Sequence, residues 1–538
     1  MCIFARMILK SDPRVLSRRE FLERAFELGS FLGASILLGG CAGLKNNLLE
    51  GLAVESDELK LARGFKYQTL IKTGDAIGQG LCFGDCADFL GVQYTGAGSG
   101  YLWVNHEAYI RQLVDGNWDR VADLQTVSRE RQWVGGSLLK INDSAQGFAI
   151  DLESSENKRF DGSTQIPFSG LETIDGSQTA VGTLANCSGG TTDWGTFLSG
   201  EENYQDFYGE IKPYKNTRIL EKSEFDWWRH FPLSPRHYGW VVEINPKTGN
   251  AVKHVSLGRF RHEGALFVRR KDNKTVVYMG EDRTGGALFK FAADSENSLE
   301  KGILYCAKMD FIKGQGEWVP LERSKNSVLQ KEFKSQLDVL VFAQYAAELV
   351  GATPMARPEG MALNPKTGNV FVALTGAEKF EKPYGSILEI EEGEGQSPNN
   401  KKFKFREVIA GSPENGLACP DNLIFDADGN LWITTDVSEK KLGLTPYEFY
   451  QRNVLFFLAL SGKEKGKLMR VAEAPADAEF TGPCFVSGGK KLLLSVQHPG
   501  SQSTEKKLTT SFPAFDGKSL PKSTVIAIDI PKDFKSQI

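Results

Sequence analysis

Short apolar runs alternate with turn residues along most of the chain. The runs are rich in β-branched and aromatic residues and are bounded by Gly, Asn and Asp, which predicts β-strands joined by tight turns. Six of the predicted strands end in a polar site. They are residues 101–104 before Glu107, 196–198 before Glu202, 276–279 before Asp282, 370–374 before Thr375, 431–433 before Asp436 and 492–496 before His498.

An internal repeat underlies this pattern. Its unit is an acidic residue, a short strand, a turn of the Asn-Gly or Asp-Gly type, and a second strand that leads to another polar residue. Segments 357–374 and 419–436 are close copies, and segments 261–282 and 479–498 are looser ones. Radially stacked units bring equivalent strand ends around one axis. The sequence therefore predicts an all-β fold, a six-bladed β-propeller with inserted helices and elaborated loops.

Two segments interrupt the strand pattern. Phe333, Leu337, Leu340 and Ala347 occur at helical spacing, so we expect an inserted helix at 325–350 that packs on a propeller face. The aromatic-rich segment 212–235 is interpreted as an elaborated loop or lid. A single propeller domain is predicted to cover residues 61–538.

The N-terminal segment is typical of an export signal. Residues 17–22, with Arg18 and Arg19, resemble a twin-arginine motif, and the apolar run at 31–38 is too short to cross a bilayer. Residues 38–41 resemble a lipobox in which Cys41 takes the lipid. We expect a signal at 1–41, a linker at 42–60, and export by the twin-arginine machinery to the periplasm or cell surface. The membrane is then contacted only through the lipid anchor.

Charge and cysteine content narrow the function classes. Lys and Arg number 64 and Asp and Glu 68, and the basic residues are dispersed, which argues against nucleic-acid binding. The cysteines after Cys41 lack the paired CxxC spacing of structural zinc sites. Cys82 and Cys86 could form a disulfide in an oxidising compartment or remain free thiols. The protein is expected to be a monomer.

Carboxylates dominate the predicted strand ends. Clustered negative charge without basic partners is costly unless cations neutralise it, and hard oxygen ligands suit calcium. The candidate ligands are Glu107, Glu202, Glu263, Asp282, Glu359, Asp421, Asn422 and Asp436, with Asn105 and Asn203 nearby. Cys187 lies in a glycine-rich turn just before Glu202, where it could be a small buried side chain or a metal ligand. A thiolate among carboxylates would favour a transition metal.

The sequence resembles the PhoX family of bacterial alkaline phosphatases over roughly residues 65–530. The matching stretches are 105–107, 187–203, 261–264, 280–282, 346–359, 420–422 and 497–500. Two positions depart from the family pattern, since Asp193 replaces a usual Pro and Glu281 a usual Asp.

The resemblance implies hydrolysis of small-molecule phosphate monoesters by a channel cluster of calcium and iron, without a serine nucleophile. The same resemblance implies that Cys187, Glu202 and Glu263 are iron ligands and that Asp282, Glu359 and Asp421 are calcium ligands. Arg357 resembles a phosphate-binding arginine, and a structural ion pair is its alternative role. His106 and His498 are candidates for protonating the leaving alcohol or for structural hydrogen bonds.

Two other function classes fit the same pattern. A calcium-dependent lactonase or organophosphate hydrolase can also use a six-bladed propeller with Glu, Asn and Asp in its channel, but such a site needs no thiolate. A non-catalytic propeller that binds a partner would tolerate loss of the channel carboxylates.

Overall fold

A computed structural model describes residues 59–534, apart from 117, 119–122, 171–172, 215–216, 221–222, 226, 393–400 and 533. The twin-arginine motif, Cys41 and all but the end of the expected linker lie outside the described residues. Leu59 is buried and strand Lys60–Leu61 pairs with Leu468–Glu473, so the folded domain begins slightly before the expected boundary at 61. None of the helices in the described part has the length and apolar character that a bilayer crossing needs.

Six antiparallel blades of four main strands form the fold, with two of the blades joined in one nine-stranded sheet, and this architecture confirms the predicted six-bladed β-propeller. From inner to outer strand, blade 1 comprises Ala87–Tyr94, Ser99–His106, Gly135–Ser144 and Gly147–Ile150. Blade 2 comprises Asn186–Thr191, Phe197–Glu201, Val241–Asn245 and Asn250–His254. Blade 3 comprises His262–Arg269, Thr275–Glu281, Leu288–Ser295 and Ser298–Asp310. Blade 4 comprises Pro358–Leu363, Val370–Leu374, Ser386–Glu391 and Lys402–Ala410. Blade 5 comprises Pro420–Phe425, Leu431–Thr435, Val454–Leu458 and Leu468–Glu473. Blade 6 comprises Glu479–Val486, Lys491–Gln497, Thr524–Asp529 and Lys66–Lys72.

The ring is closed by strands from the two ends of the domain. Lys66–Lys72 is the outermost strand of blade 6 and pairs antiparallel with Thr524–Asp529. Blades 3 and 4 are also linked at their outer edges, because the extra strand Gln315–Pro320 pairs with an outer strand of each. These pairings cover strand edges that would otherwise be open.

Apolar side chains fill the spaces between blades. Trp432 and Phe457 of blade 5, for example, belong to one buried cluster with Phe480 and Leu494 of blade 6. The alternation of residues along each strand makes this possible, since every blade presents an apolar face to both neighbours. The packed blades hold the inner strand ends at fixed positions around the axis.

Smaller elements decorate the blades. The remaining strands are Lys158–Phe160, Gln165–Pro167, Thr179–Val181, Ile211–Tyr214, Thr217–Leu220, Thr284–Gly286 and Met355–Ala356. The α-helices are Arg111–Asp115, Leu124–Glu130, Gln205–Tyr208, Ser327–Glu332, Gln336–Val341 and Ala343–Leu349. The 3₁₀ turns are Trp227–Arg229, Pro235–His237, Val255–Leu257, Arg323–Lys325, Glu378–Phe380 and Ser487–Gly489.

The insertion at 325–350 contains three short helices, so the expectation of one helix is corrected. Phe333 is extended and ends the first helix. Ser335 begins the second through a capping box with Asp338, a local signal that overrides the apolar period. The insertion does pack on the propeller, because Leu329, Phe333 and Ala347 share a buried cluster with strand residues of blades 2 and 3.

The described part of segment 212–235 is an elaborated loop. It includes the hairpin Ile211–Tyr214 with Thr217–Leu220 and the 3₁₀ turn Trp227–Arg229. Trp227 is fully buried, and its ring nitrogen donates a hydrogen bond to the Tyr109 hydroxyl at 3.2 Å. This aromatic contact anchors the loop to the connection between the second and third strands of blade 1.

Candidate metal centre

The inner strands bring one potential metal-ligating side chain from each blade to the same end of the propeller. In five blades it is the second residue of the inner strand, and in blade 6 it is the first. These residues are Asp88, Cys187, Glu263, Glu359, Asp421 and Glu479.

The second strand of each blade runs antiparallel to the inner strand and ends at the same place. The polar residues at these ends are Glu107, Glu202, Asp282, Thr375, Asp436 and Gln497. The six strands whose polar ends were predicted from the sequence are these second strands. The repeat pattern therefore located these strand ends and five of the six polar residues, but in blade 6 it indicated His498, whereas the ring contains Gln497.

Local backbone irregularity points the inner ring toward the axis. Every inner strand has a shift in pairing register close to its ligating residue. In five blades the residue two positions before the ligating side chain has a positive φ, between 40° and 62°. They are Cys86, Ala185, Arg357, Cys419 and Asp477. Such backbone costs about 1–3 kcal/mol per residue and is concentrated at functional sites.

Glycine permits close approach of neighbouring inner strands at this point. A Cβ atom on Gly360 would lie 2.1 Å from the carbonyl oxygen of Asp421 in the next blade. The same atom on Gly482 would lie 2.4 Å from the carbonyl oxygen of Asp88. Larger residues at these two positions would separate the blades that carry the ligating side chains.

A cavity of about 100 Å³ lies where the strand ends meet. It is lined by Asp88, Glu107, Cys187, Glu202, Asn203, Glu263, Asp282, Arg357, Glu359, Asp421, Asp436, Glu479, Thr481 and Gln497. Nine of these described lining residues are carboxylic acids, and a single one, Arg357, is a cation. Lone buried carboxylates are unfavourable, so this wall requires protons or metal ions.

Two groups of potential ligand atoms share the thiol of Cys187. Asp88, Glu107 and Cys187 form one group, and Cys187, Glu202 and Glu263 form the other. Within each group the ligand atoms lie within 4.8 Å of one another. The Cys187 thiol donates to Oε2 of Glu263 at 2.9 Å. Cys187 thus lies between two adjacent sites of metal-binding size.

Several buried carboxylate oxygens in the cavity lack a hydrogen-bond donor among the described residues. They are Asp88 Oδ1, Glu202 Oε1 and Glu263 Oε1. The neighbouring Glu201 differs, because its Oε1 accepts from the fully buried Lys253 ammonium at 2.7 Å. Glu201 is therefore neutralised inside blade 2, whereas Glu202 presents a free oxygen to the cavity. This donor set fits metal ions.

Burial raises the pKa of most of these acids. It raises the pKa of Asp88, Glu202, Glu263 and Glu479 well above the usual range, and neighbouring carboxylates raise it further. Burial and then Asp436 raise the pKa of Asp421 to about 8. Burial, followed by Asp88 and Glu263, raises the pKa of the Cys187 thiol. Metal ions would replace protons at these groups.

Arg357 holds the acids on one side of the cavity. Its Nε and Nη2 donate to the two carboxylate oxygens of Asp282 at 2.8 and 3.1 Å, and its Nη2 lies 2.6 Å from Glu359 and 3.6 Å from Asp436. Burial raises the pKa of Asp282, but Arg357 outweighs it and lowers this pKa to about 2. The guanidinium remains partly exposed and borders the cavity, so both the phosphate-binding and the ion-pair roles are open to it.

The two candidate histidines differ in position. His106 is fully buried, with Nδ1 3.0 Å from the Asp85 carbonyl and Nε2 2.8 Å from the Ser137 hydroxyl, and it does not line the cavity. Burial lowers its pKa well below the usual value. This geometry favours its structural alternative. His498 lies 3.0 Å from Oε1 of Glu479 and orients that carboxylate.

Amide and hydroxyl groups orient other ligating residues. Gln497 and Asn203 donate to the two oxygens of Glu107 at 2.6 and 3.3 Å. The Thr375 hydroxyl donates to Glu359. Asn422, a candidate ligand, instead donates to Asp421 at 2.8 Å and accepts from the Gly482 amide at 2.7 Å, and it does not line the cavity.

Sequence reasoning missed Asp88 and Glu479 as ligand candidates. Both occupy the inner-strand position that Glu359 and Asp421 occupy in the two close copies of the repeat. Extending the repeat to blade 1 would have identified Asp88, since an apolar stretch follows Asp88 as well.

The two positions that depart from the family pattern do not line the cavity. Asp193 pairs with Arg269, and the buried Glu281 pairs with Arg283. Cys82 and Cys86 are free thiols.

Comparison with known proteins identifies relatives of this architecture. Residues 49–500 match the family described as alkaline phosphatase PhoX. The PhoX of Pseudomonas fluorescens, solved in complex with vanadate, a transition state analogue, is 26% identical, with a TM-score of 0.77 over 88% of this chain and 96% of that one. A Dyadobacter fermentans protein of unknown function is 9% identical, with a TM-score of 0.40 over 86% and 99%. No match was found among curated proteins.

Proposed function

Because the chain belongs to the PhoX family of alkaline phosphatases, it hydrolyses phosphate monoesters, and we propose that the acidic cavity is the reaction centre and holds calcium and iron. The observation that carries the proposal is the convergence of nine carboxylic acids and one thiol, from all six blades, on a cavity of about 100 Å³. One arginine cannot balance that charge. Multivalent cations can.

The donor atoms support two kinds of ion. Carboxylate oxygens are the ligands that calcium prefers, and they form most of the cavity wall. The Cys187 sulfur is a soft ligand that favours a transition metal over calcium. We assign iron to the two sites that share Cys187. Asp88 and Glu107 complete one site, and Glu202 and Glu263 complete the other.

The remaining acids are the three that Arg357 contacts, together with Asp421 and Glu479. We assign calcium to this second set, which comprises Asp282, Glu359, Asp421, Asp436 and Glu479. Asn422 is assigned a positioning role, because its hydrogen bonds to Asp421 and Gly482 fix the Asp421 carboxylate.

The bound ions would supply Lewis-acid chemistry at the phosphoryl group. Arg357 is placed to bind phosphoryl oxygens through its planar guanidinium, which suits bidentate contacts. Asp282 holds that plane through two hydrogen bonds. Gln497, Thr375 and His498 fix the orientation of Glu107, Glu359 and Glu479, respectively. No serine nucleophile is needed in this arrangement.

A calcium-dependent lactonase or organophosphate hydrolase is less well supported. Such a site needs no thiol, whereas Cys187 belongs to both groups of potential ligands. A purely binding propeller would not require unpaired buried carboxylate oxygens at its axis.

We further propose that the enzyme works outside the cytoplasm. The support is the twin-arginine motif at 17–22 and the lipobox that ends at Cys41. Replacing Arg18 and Arg19 by Lys should retain the enzyme in the cytoplasm, and Cys41→Ala should release it from the membrane fraction. Export of both variants to the same membrane location as the wild type would contradict the proposal.

Elemental analysis and reconstitution test the metal proposal. Purified protein should contain both calcium and iron, and a chelator should abolish hydrolysis of an aryl phosphate. Activity should return only when both ions are restored. Full activity with calcium alone would remove iron from the proposal, and full activity after complete removal of metals would remove the metal centre altogether.

A further inference from the structure

A second pocket, of about 350 Å³, adjoins the metal cavity and shares Arg357 and Asp436 with it. Its walls come from the loops that follow the second strands of blades 3, 4 and 5. Thr284 lies in the blade 3 loop, Lys379 in the blade 4 loop and Lys441 in the blade 5 loop. Its volume is at the lower end of small-molecule sites, and it would accommodate a small leaving group.

Hydrogen bonds hold the two main walls of this pocket together. The Tyr447 hydroxyl, in the blade 5 loop, donates to the Pro383 carbonyl of the blade 4 loop at 2.8 Å. In the opposite direction, the Tyr384 hydroxyl donates to the Pro446 carbonyl at 2.9 Å. The blade 4 loop is also closed on itself by the backbone bond from Ala377 to Lys382. These hydrogen bonds fix the positions of the two loops that form the pocket.

The charges in the pocket wall favour an anion. Arg357 is paired with Asp282 and Glu359, and Asp436 belongs to the acids of the proposed calcium set, so both residues are counted with the metal cavity and not with this pocket. Lys379, Lys441 and Glu378 are the other charged lining residues, and none of the three has an ion-pair partner among the described residues. Two lysines against one glutamate leave an excess of positive charge beside the reaction centre.

We propose that this pocket selects phosphate monoesters whose leaving alcohol carries a second anionic group, either a carboxylate or another phosphate. The inference rests on the proposed function, since it requires the phosphoryl group to be bound at Arg357. Lys379 and Lys441 then bind the distal anion. They determine specificity and take no part in bond breaking.

Two matched substrates and three variants test the proposal. The substrates are 4-carboxyphenyl phosphate and its neutral amide, 4-carbamoylphenyl phosphate, assayed with metal-loaded enzyme. Lys379→Met and Lys441→Met should each lower the ratio of kcat/KM for the carboxylate over the amide by about two- to five-fold, as expected for exposed charge pairs. Lys440→Met is the matched control, because Lys440 is an exposed neighbour that does not line the pocket.

Salt dependence gives a second readout that altered folding would not mimic. The wild-type ratio should fall as the ionic strength rises, whereas the ratio of the Lys379→Met/Lys441→Met double variant should stay nearly constant. Equal ratios in wild type and double variant would overturn the inference while leaving phosphatase activity established. Failure of the wild type to hydrolyse either ester would instead overturn the proposed reaction centre, and the inference with it.

Discussion

The thiol of Cys187 in blade 2 lies 2.9 Å from the Glu263 carboxylate in blade 3, although 76 residues separate them in the sequence. Burial raises the pKa of both groups, and a hydrogen bond between them alone stabilises the folded protein little. The proposed metal centre would account for their proximity, since a shared metal ion would bind both groups in their charged forms.

Replacement of Cys187 by Ser should therefore remove iron selectively. We expect bound iron to fall, bound calcium to persist, and kcat/KM to drop by about 100-fold or more, because even residues one shell further out cost 10–100-fold. Elemental analysis beside aryl phosphate hydrolysis checks this. Cys82→Ser, which changes an exposed thiol outside the cavity, is the control. Retention of iron in Cys187→Ser would contradict the assignment.

Replacement of Arg357 by Lys should weaken substrate binding by the enzyme. Lysine keeps the charge but cannot form the paired contacts of a guanidinium, so KM for aryl phosphate and the inhibition constant for inorganic phosphate should both rise at least about ten-fold. Metal content, measured in parallel, should remain near the wild-type value. Arg283→Lys is the control, since Arg283 pairs with Glu281 and Glu348 outside the cavity. An unchanged KM would favour the purely structural role.

The two histidines should respond differently to substitution. His498→Gln disturbs a residue that orients Glu479, so the affinity for calcium should fall about 10–100-fold. His106→Gln disturbs a buried hydrogen-bonded ring, and unfolding should occur at a lower temperature with calcium affinity little changed. Calcium titration and thermal denaturation of both variants distinguish these outcomes. A reversed pattern would assign His106 to the centre.

The metal-depleted protein should lose stability as pH rises. Burial raises the pKa of Asp88, Glu202, Glu263, Glu479 and Asp421, that of Asp421 to about 8, so these carboxyls hold protons in the folded state at pH values where the unfolded chain has released them. The folded state then binds more protons than the unfolded state, so the free energy of unfolding falls between about pH 4 and pH 8. Metal-loaded protein should lack this decline. Denaturant titrations across that range, with and without chelator, provide the test.

The sequence predicted the fold because strand and turn periodicity is local. The strands before Glu202, Asp282 and Asp436 could be recognised from apolar runs and turn residues alone. Phe333 and Ser335 show the limit of periodicity, since a capping box divided what the apolar spacing predicted to be a single helix.

The candidate site was less fully predictable than the fold. Asp88 was missed because the repeat was not extended to blade 1, whose turn differs from those of the close copies, and its role depends on Cys187 in the neighbouring blade. His106 was included because the sequence could not reveal that Ser137 and Asp85 occupy its ring nitrogens. Which of two adjacent glutamates faces the cavity was likewise decided by Lys253, a partner that is 52 residues away from Glu201.

The strand Lys66–Lys72 pairs with Thr524–Asp529, so a strand synthesised near the start of the domain has its partner only near the end. In a nascent chain stalled before residue 524, that strand has no pairing partner. Blade 6 then stays incomplete, and the ring of blades that carries the proposed ligands cannot close. Truncation before residue 524 should thus prevent assembly of the proposed metal centre, although every proposed ligand has already been translated.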